Sequence, residues 1–211
     1  MDATYTIGTE VACTDGVCGK LTRVIVDPVK RTLTYLVVEP DEDPSTGRLV
    51  PARHVLAPTT GTITLDCDRA AFAGFGYAQT EEFLPAQDDE LGFGVENTLW
   101  MPYFPLGTEL PGVGELTGPV SSVSRDRVPL GEVQIRRGQS VHATDGDIGK
   151  VRGLAVDPGD EQVTHVLLDE GHLWGRKTVA IPIGAVESVT DGIRLSLAKD
   201  EVRDLPELPL G

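Results

Sequence analysis

An all-β fold, built as two small, strongly bent β-barrels with short helices and an irregular connecting segment, is what this chain of 211 residues predicts. Three observations lead there. First, Ala12-Cys13-Thr14-Asp15-Gly16-Val17-Cys18-Gly19-Lys20 returns 130 positions later as His142-Ala143-Thr144-Asp145-Gly146-Asp147-Ile148-Gly149-Lys150. Val26-Asp27-Pro28 recurs as Val156-Asp157-Pro158, Thr34 as Thr164, Val50-Pro51 as Ile181-Pro182, and Ile63-Thr64-Leu65 as Ile193-Arg194-Leu195. A repeat of this kind sets the architecture before any local assignment. Second, each copy is a series of β-branched or aliphatic runs separated by turn residues. Third, helical periodicity is scarce.

Taken in order, the first copy gives strands at residues 10–13, 20–27, 33–39, 48–50 and 62–66, and the second at 140–143, 150–157, 163–169, 177–181 and 193–197. Asp15-Gly16 and Asp145-Gly146 separate the first two strands, because glycine supplies the positive φ of a tight reversal. Gly19 and Gly149 follow where a bulge can open the longer strand. Asp27-Pro28 and Asp157-Pro158 end that strand, since proline cannot donate to the ladder. Alternation places Val24 and Val26, like Leu154 and Val156, on one core face. The third strand is apolar on both faces, with Leu33, Tyr35 and Val37 on one side and Leu36 and Val38 on the other. Such a strand needs an outer cover as well as an inner core. Five short, bent strands in so small a module favour closure into a barrel. Residues 197–205 can form two helical turns before Pro206, and 68–75 and 80–84 do so more weakly.

The chain divides into a first module at residues 1–75, a connecting segment at 76–130 and a second module at 131–211. A module of this size is near the lower limit for an independent core, so the modules should lean on each other or on the segment between them. Formal charge is −15. The three parts carry net charges of −3, −7 and −5, so the segment is the acidic part. That balance repels phosphate backbones and argues against direct nucleic-acid binding. The segment mixes glycine and proline with Phe93, Trp100, Met101, Tyr103 and Phe104, more apolar surface than a solvated linker carries. No signal sequence or apolar run of membrane-spanning length stands out. Three cysteines cannot all pair, which fits a reducing cytoplasm.

Thr-Asp-Gly-x-x-Gly-Lys at 14–20 and 144–150, a strand ending in Val-Asp-Pro, an apolar third strand, a Val-Pro or Ile-Pro step and an Ile-x-Leu strand occur in the same order twice. In that order they resemble the PRC-barrel family. The resemblance covers about residues 5–75 and 135–205. It implies a small bent barrel that acts as a docking or assembly module, not a catalytic fold.

Gly19-Lys20 and Gly149-Lys150 lack the earlier glycine and following Ser or Thr of a nucleotide loop, and they lead into strands, so phosphate binding is not expected. Cys13 and Cys18 flank the first turn, with Cys67 as a conceivable third ligand, yet Ala143 and Ile148 match the first two in the second copy and argue for packing. His54, His142, His165 and His172 show no zinc-ligand spacing, although His142 could share a rim with Asp145 and Asp147. Glu81-Glu82, Asp88-Asp89 and the serines at 121, 122 and 124 lack the context of acid–base or acyl-transfer sites.

The expectation is a cytoplasmic, non-catalytic protein-binding adaptor that needs no cofactor. Trp100, Met101, Tyr103 and Phe104 are the candidate partner-binding residues. Asp15, Gly16, Gly19, Asp145, Gly146 and Gly149 form a structural turn motif. The partner is a protein, with a homo-oligomer open, and without nucleic acid or a membrane span. The alternative is a small-ligand or metal-binding module with a site at the inter-barrel surface, near His142 and Asp145 or the Cys13/Cys18 turn.

Overall fold

Glycine placement starts each repeat. In a computed structural model, which describes residues 2–41, 46–59, 61–83, 122–170, 178–189 and 192–205, strand β1 (Ala3–Thr6) leads through Gly8 into β2 (Glu10–Cys13). A two-residue reversal then delivers β3 (Gly16–Asp27), with Gly16 at φ +141°. β2 and β3 pair from Cys13–Gly16 to Glu10–Lys20, and the register slips between Val11 and Ala12, which leaves Cys18 in a bulge beside Gly19. Only glycine fits there: φ is +152°, and a β-carbon would lie 2.4 Å from the Glu39 carbonyl oxygen. β4 (Thr32–Glu39) returns along β3, followed by β5 (Arg48–Pro51), a 3-10 turn at Ala52–His54, β6 (Val55–Thr59), β7 (Thr62–Leu65) and helix α1 (Arg69–Ala73).

β8 (Gln79–Phe83) and β9 (Ser122–Asp126) pair as a two-stranded ribbon. Residues 80–84 were expected to form a weak helix. Residues 80–83 are strand instead, because ladder pairing outweighs a marginal helical preference. The chain forms two units, residues 1–79 with 126–211 and residues 80–125.

The second repeat reproduces the first. β10 (Val133–Arg136) leads into β11 (Ser140–Ala143), β12 (Gly146–Val156), β13 (Val163–Glu170), β14 (Thr178–Pro182), a 3-10 turn at Ile183–Ala185, β15 (Val186–Ser188), β16 (Ile193–Leu195) and α2 (Lys199–Arg203). The strand orders are β5-β4-β3-β2-β7-β6 and β14-β13-β12-β11-β16-β15. β2–β7 and β11–β16 are parallel; the other neighbours are antiparallel.

The expectation of barrel closure is corrected: neither path closes among the described residues. The two ends of each path, β5 and β6 or β14 and β15, are joined by the 3-10 turn and not by a ladder. Each corner spends its backbone bond locally, with Val55 N donating to Ala52 O and Val186 N to Ile183 O.

The repeats exchange their first strands. β1 pairs with β12 of the second repeat, Tyr5 opposite Leu154. β10 pairs with β3 of the first, Ile135 opposite Val24. These pairings are equivalent under the 130-residue shift, so a pseudo-twofold relates them. Side chains lock both strands: the Thr34 hydroxyl donates to Glu132 Oε2 (2.8 Å) and the Thr164 hydroxyl to Asp2 Oδ2 (2.7 Å). Near the pseudo-axis, Leu33 N donates to Glu161 O and Val163 N to Arg31 O, at 2.9 and 2.8 Å. Arg31 and Glu161 reach those positions with φ of +57° and +58°, the only non-glycine residues with positive φ among those described.

One core therefore runs through both repeats. It joins Val24, Val26, Leu36 and Val38 to Leu154, Val156, Val166 and Leu168. Leu33 belongs to this inner core and not to the face of Tyr35 and Val37. The register slips between Ile25 and Val26, and the slip turns Leu33 to the other face. On the outer face of the first repeat, Ile25 and Val37 are covered by Ala78, Tyr35, Leu49 and Val128, while Ala155, Leu167 and Ala180 cluster on that of the second.

Candidate functional site

The duplicated turn motif spends its polar side chains on the fold. Asp15 Oδ1 accepts from Arg69 N, and Asp145 Oδ1 accepts from Lys199 N, both at 2.9 Å. Each aspartate holds the first residue of a short helix. Thr14 N donates to Cys67 O and Thr144 N to Leu197 O, both at 3.0 Å, so the turn and the helix entrance are tied twice in each repeat. Gly146 and Gly149 take φ of +130° and +155°, matching Gly16 and Gly19. Lys20, at the end of the first motif, is exposed and bonds to Asp41 (2.7 Å).

The three cysteines converge although they come from β2, the β3 bulge and the entrance to α1. Cys13 and Cys18 are buried, and all three are free thiols. Cys18 Sγ donates to Val11 O at 3.3 Å. Burial pushes Cys13 up to about 12, with the Cys18 contact adding to it, and Cys67 up to about 11; Cys18 is raised for the same leading reason. Thiols held protonated in this way are poor nucleophiles and pack as small hydrophobes. The second repeat puts Ala143, Ile148 and Leu197 at these positions.

A pH dependence follows. A thiol whose pKa is higher folded than unfolded keeps its proton longer in the native state, so folding loses stability as pH rises. That contribution is intact below the ordinary thiol value of 9.0 and lost as pH climbs through about 12. Tyr5, raised from 10.0 to about 12 by burial and then by Glu161, acts in the same direction. Urea midpoints are expected to fall between those limits. The triple replacement Cys13→Ala, Cys18→Ile, Cys67→Leu should flatten the early part of that fall, and an unchanged profile would refute the assignment.

The histidines are each engaged separately. His54 Nδ1 lies 2.7 Å from Asp66 Oδ1. His142 Nδ1 contacts Asp147 Oδ1, while Asp145 accepts from Lys199 N, so the conceivable rim of His142, Asp145 and Asp147 is not assembled. His165 Nδ1 lies 3.0 Å from Thr164 Oγ1. No group of three or more His, Cys, Asp or Glu side chains among the described residues could hold a metal ion. Trp100, Met101, Tyr103, Phe104, His172, Asp88, Asp89 and Ser121 lie outside the described residues, and Glu81, Glu82, Ser122 and Ser124 lie on the ribbon.

A buried charge was not anticipated from the sequence. Arg23, with 5% of its surface exposed, sits mid-strand among apolar neighbours. Its guanidinium bonds to Glu39 Oε1 (3.1 Å) and to Asp126 Oδ1. Arg136 holds the other Asp126 oxygen, and Gln134 Nε2 donates to it at 3.3 Å. Burial, then the nearby Arg23 charge, lowers the pKa of Arg136. The sequence signal was a lone arginine in Leu21-Thr22-Arg23-Val24-Ile25-Val26, where the second repeat has Gly153.

A cavity of about 280 Å3 lies beside β10, within the two-repeat unit. No helix among the described residues is long and apolar enough to cross a membrane.

Comparison with known families gives one match: residues 137–202 fit the PRC-barrel domain. The match covers the second repeat. Equivalence of the first rests on the sequence echo and on its identical strand order. No curated protein matches the chain.

Proposed function

We propose that this chain is a non-catalytic protein-binding scaffold, in which two PRC-barrel-like repeats form a rigid mount for the segment between them. The observation that carries this reading is the way the mount grips both ends of that segment. Arg127 N donates to Ala78 O at 2.8 Å, so entry and exit lie side by side. Asp126 is held by Arg23 and Arg136. Closing a long insertion at its base limits the entropy lost when it meets a partner.

The segment supplies what binding requires. Trp100, Met101, Tyr103 and Phe104 are residue types that dominate protein interfaces, and the surrounding acidity suits a basic partner surface. The PRC-barrel match supports a docking module. The duplicated motif supports it as well, because its aspartates hold the entrances of the two short helices and so serve the fold.

The test uses the full chain as bait in native lysate, with crosslinking to identify the docking face. Trp100→Ala with Tyr103→Ala is expected to abolish capture of the crosslinked partner while leaving thermal stability unchanged. Capture that survives the double substitution sinks the aromatic-patch reading, and absence of any specific partner sinks the scaffold reading.

A further inference from the structure

The cavity beside β10 has apolar walls and a charged rim. Val26, Ile135, Val163, Val166, Val186 and Ile193 line it, and Asp27, Arg31 and Glu187 stand at its edge. Asp27 is committed to its own turn: Oδ1 accepts from Val29 N (2.9 Å) and Lys30 N (3.0 Å), and Oδ2 lies 3.5 Å from Lys30 Nζ. Glu187 is exposed to solvent. Arg31 has no ion-pair partner among the described residues, and its backbone is pinned by Val163 N donating to its carbonyl at 2.8 Å. A fixed backbone and a guanidinium with no ion-pair partner among the described residues make a rim cation.

The pseudo-twofold shows what kind of group suits such a place. Tyr5 holds on β1 the register position that Ile135 holds on β10. Its ring is buried in the shared core, and its phenol feels the carboxylate of Glu161, the counterpart of Arg31. At one end of the interface, then, an aromatic ring carrying a hydroxyl is buried, and the residue matching Arg31 is a carboxylate. At the other end Ile135 brings no ring, and a guanidinium replaces the carboxylate. The group that complements the second arrangement is a ring carrying the opposite charge.

From this the geometry points to a binding site for a small, single-ring aromatic carboxylate, its ring against the partly buried Val133, Ile183, Val186 and Val189 beside Ile135 and its carboxylate on Arg31. The site goes beyond the protein-binding reading and does not depend on it. A carboxylate accepts from a guanidinium through charge-assisted bonds, with a planar fork to match. The volume is near the lower end of ligand pockets, roughly 300 Å3.

Titration calorimetry of the full chain with phenylacetate tests the assignment. One-to-one, saturable binding is expected at or below about 1 mM, with the neutral isostere phenylacetamide at least ~10-fold weaker. Arg31→Asn keeps a residue that tolerates positive φ and removes the charge. It should weaken phenylacetate about 10-fold and erase the preference over the amide. Ile135→Tyr should place a ring in the cavity and abolish binding. If that variant fails to fold, the amide comparison and Arg31→Asn decide alone. Absence of saturable binding by about 10 mM, equal affinity for acid and amide, or wild-type binding by Arg31→Asn each overturns the site.

Discussion

Gly153→Val is expected to destabilise the full chain by about 3 kcal/mol or more, read as a lowered urea midpoint. Gly153 lies on β12 opposite Thr6 of the exchanged strand. A β-carbon there would sit 2.2 Å from the Tyr5 carbonyl oxygen and 2.9 Å from Thr6 Cα. Both are backbone atoms, which cannot swing aside as a side-chain tip can. The strand must therefore retreat, and with it Tyr5 leaves the core that spans the repeats. Gly184→Ala is the control, because nothing lies within 4 Å of a β-carbon there. Equal midpoints for the two variants would mean that β1 does not depend on this close approach.

Arg23→Ala should cost about 3–5 kcal/mol, the range for removing one partner of a buried ion pair. Glu39 and Asp126 would keep their charges in a largely dry setting, with Asp126 retaining only Arg136 and Gln134. The loss should come mainly from that stranded charge and less from the attraction itself. A double variant, Arg23→Met with Asp126→Asn, should recover part of the stability, since an apolar replacement of similar length fills the space and one carboxylate is gone. Denaturant midpoints for the single and double variants decide this. A double variant as unstable as Arg23→Ala alone would mean that neither the emptied space nor the stranded Asp126 charge sets the cost.

What the sequence disclosed and what it hid divide along range. The hairpins, the bulges at Gly19 and Gly149 and the strand ends at Asp27-Pro28 and Asp157-Pro158 are dictated within a few residues, by positive φ or by a missing donor, so they were legible. The slip between Ile25 and Val26 carries no glycine, and it moved Leu33 to the unexpected face. The exchange of β1 and β10 was hidden because a four-residue strand fits any open edge; its partner is chosen by residues such as Gly153, Thr34 and Thr164 far away in sequence. Thr34 and Thr164 were visible as an echo, but their acceptors, Glu132 and Asp2, become meaningful only once the strands cross over. The candidate turn motif was legible as geometry, while the helix ends its aspartates hold lie 54 residues downstream. Arg23 stood out in an apolar strand, yet its partner Asp126 is 103 residues away.

The crossing strands also set an order of events during synthesis. As the first repeat leaves the ribosome, β3 has β2 and β4 beside it, but the edge that β10 will occupy stays open until residue 136 has been made. β1 waits longer still, since its place is on β12, which ends at Val156. Neither half can therefore complete its sheet alone, and the last ladders to form are those of greatest sequence separation, whose loop-closure entropy is the largest. Such a topology slows folding and leaves an unpaired edge exposed to other chains meanwhile. Splitting the gene between the repeats and expressing the halves separately would thus yield two fragments, each carrying the strand that the other lacks.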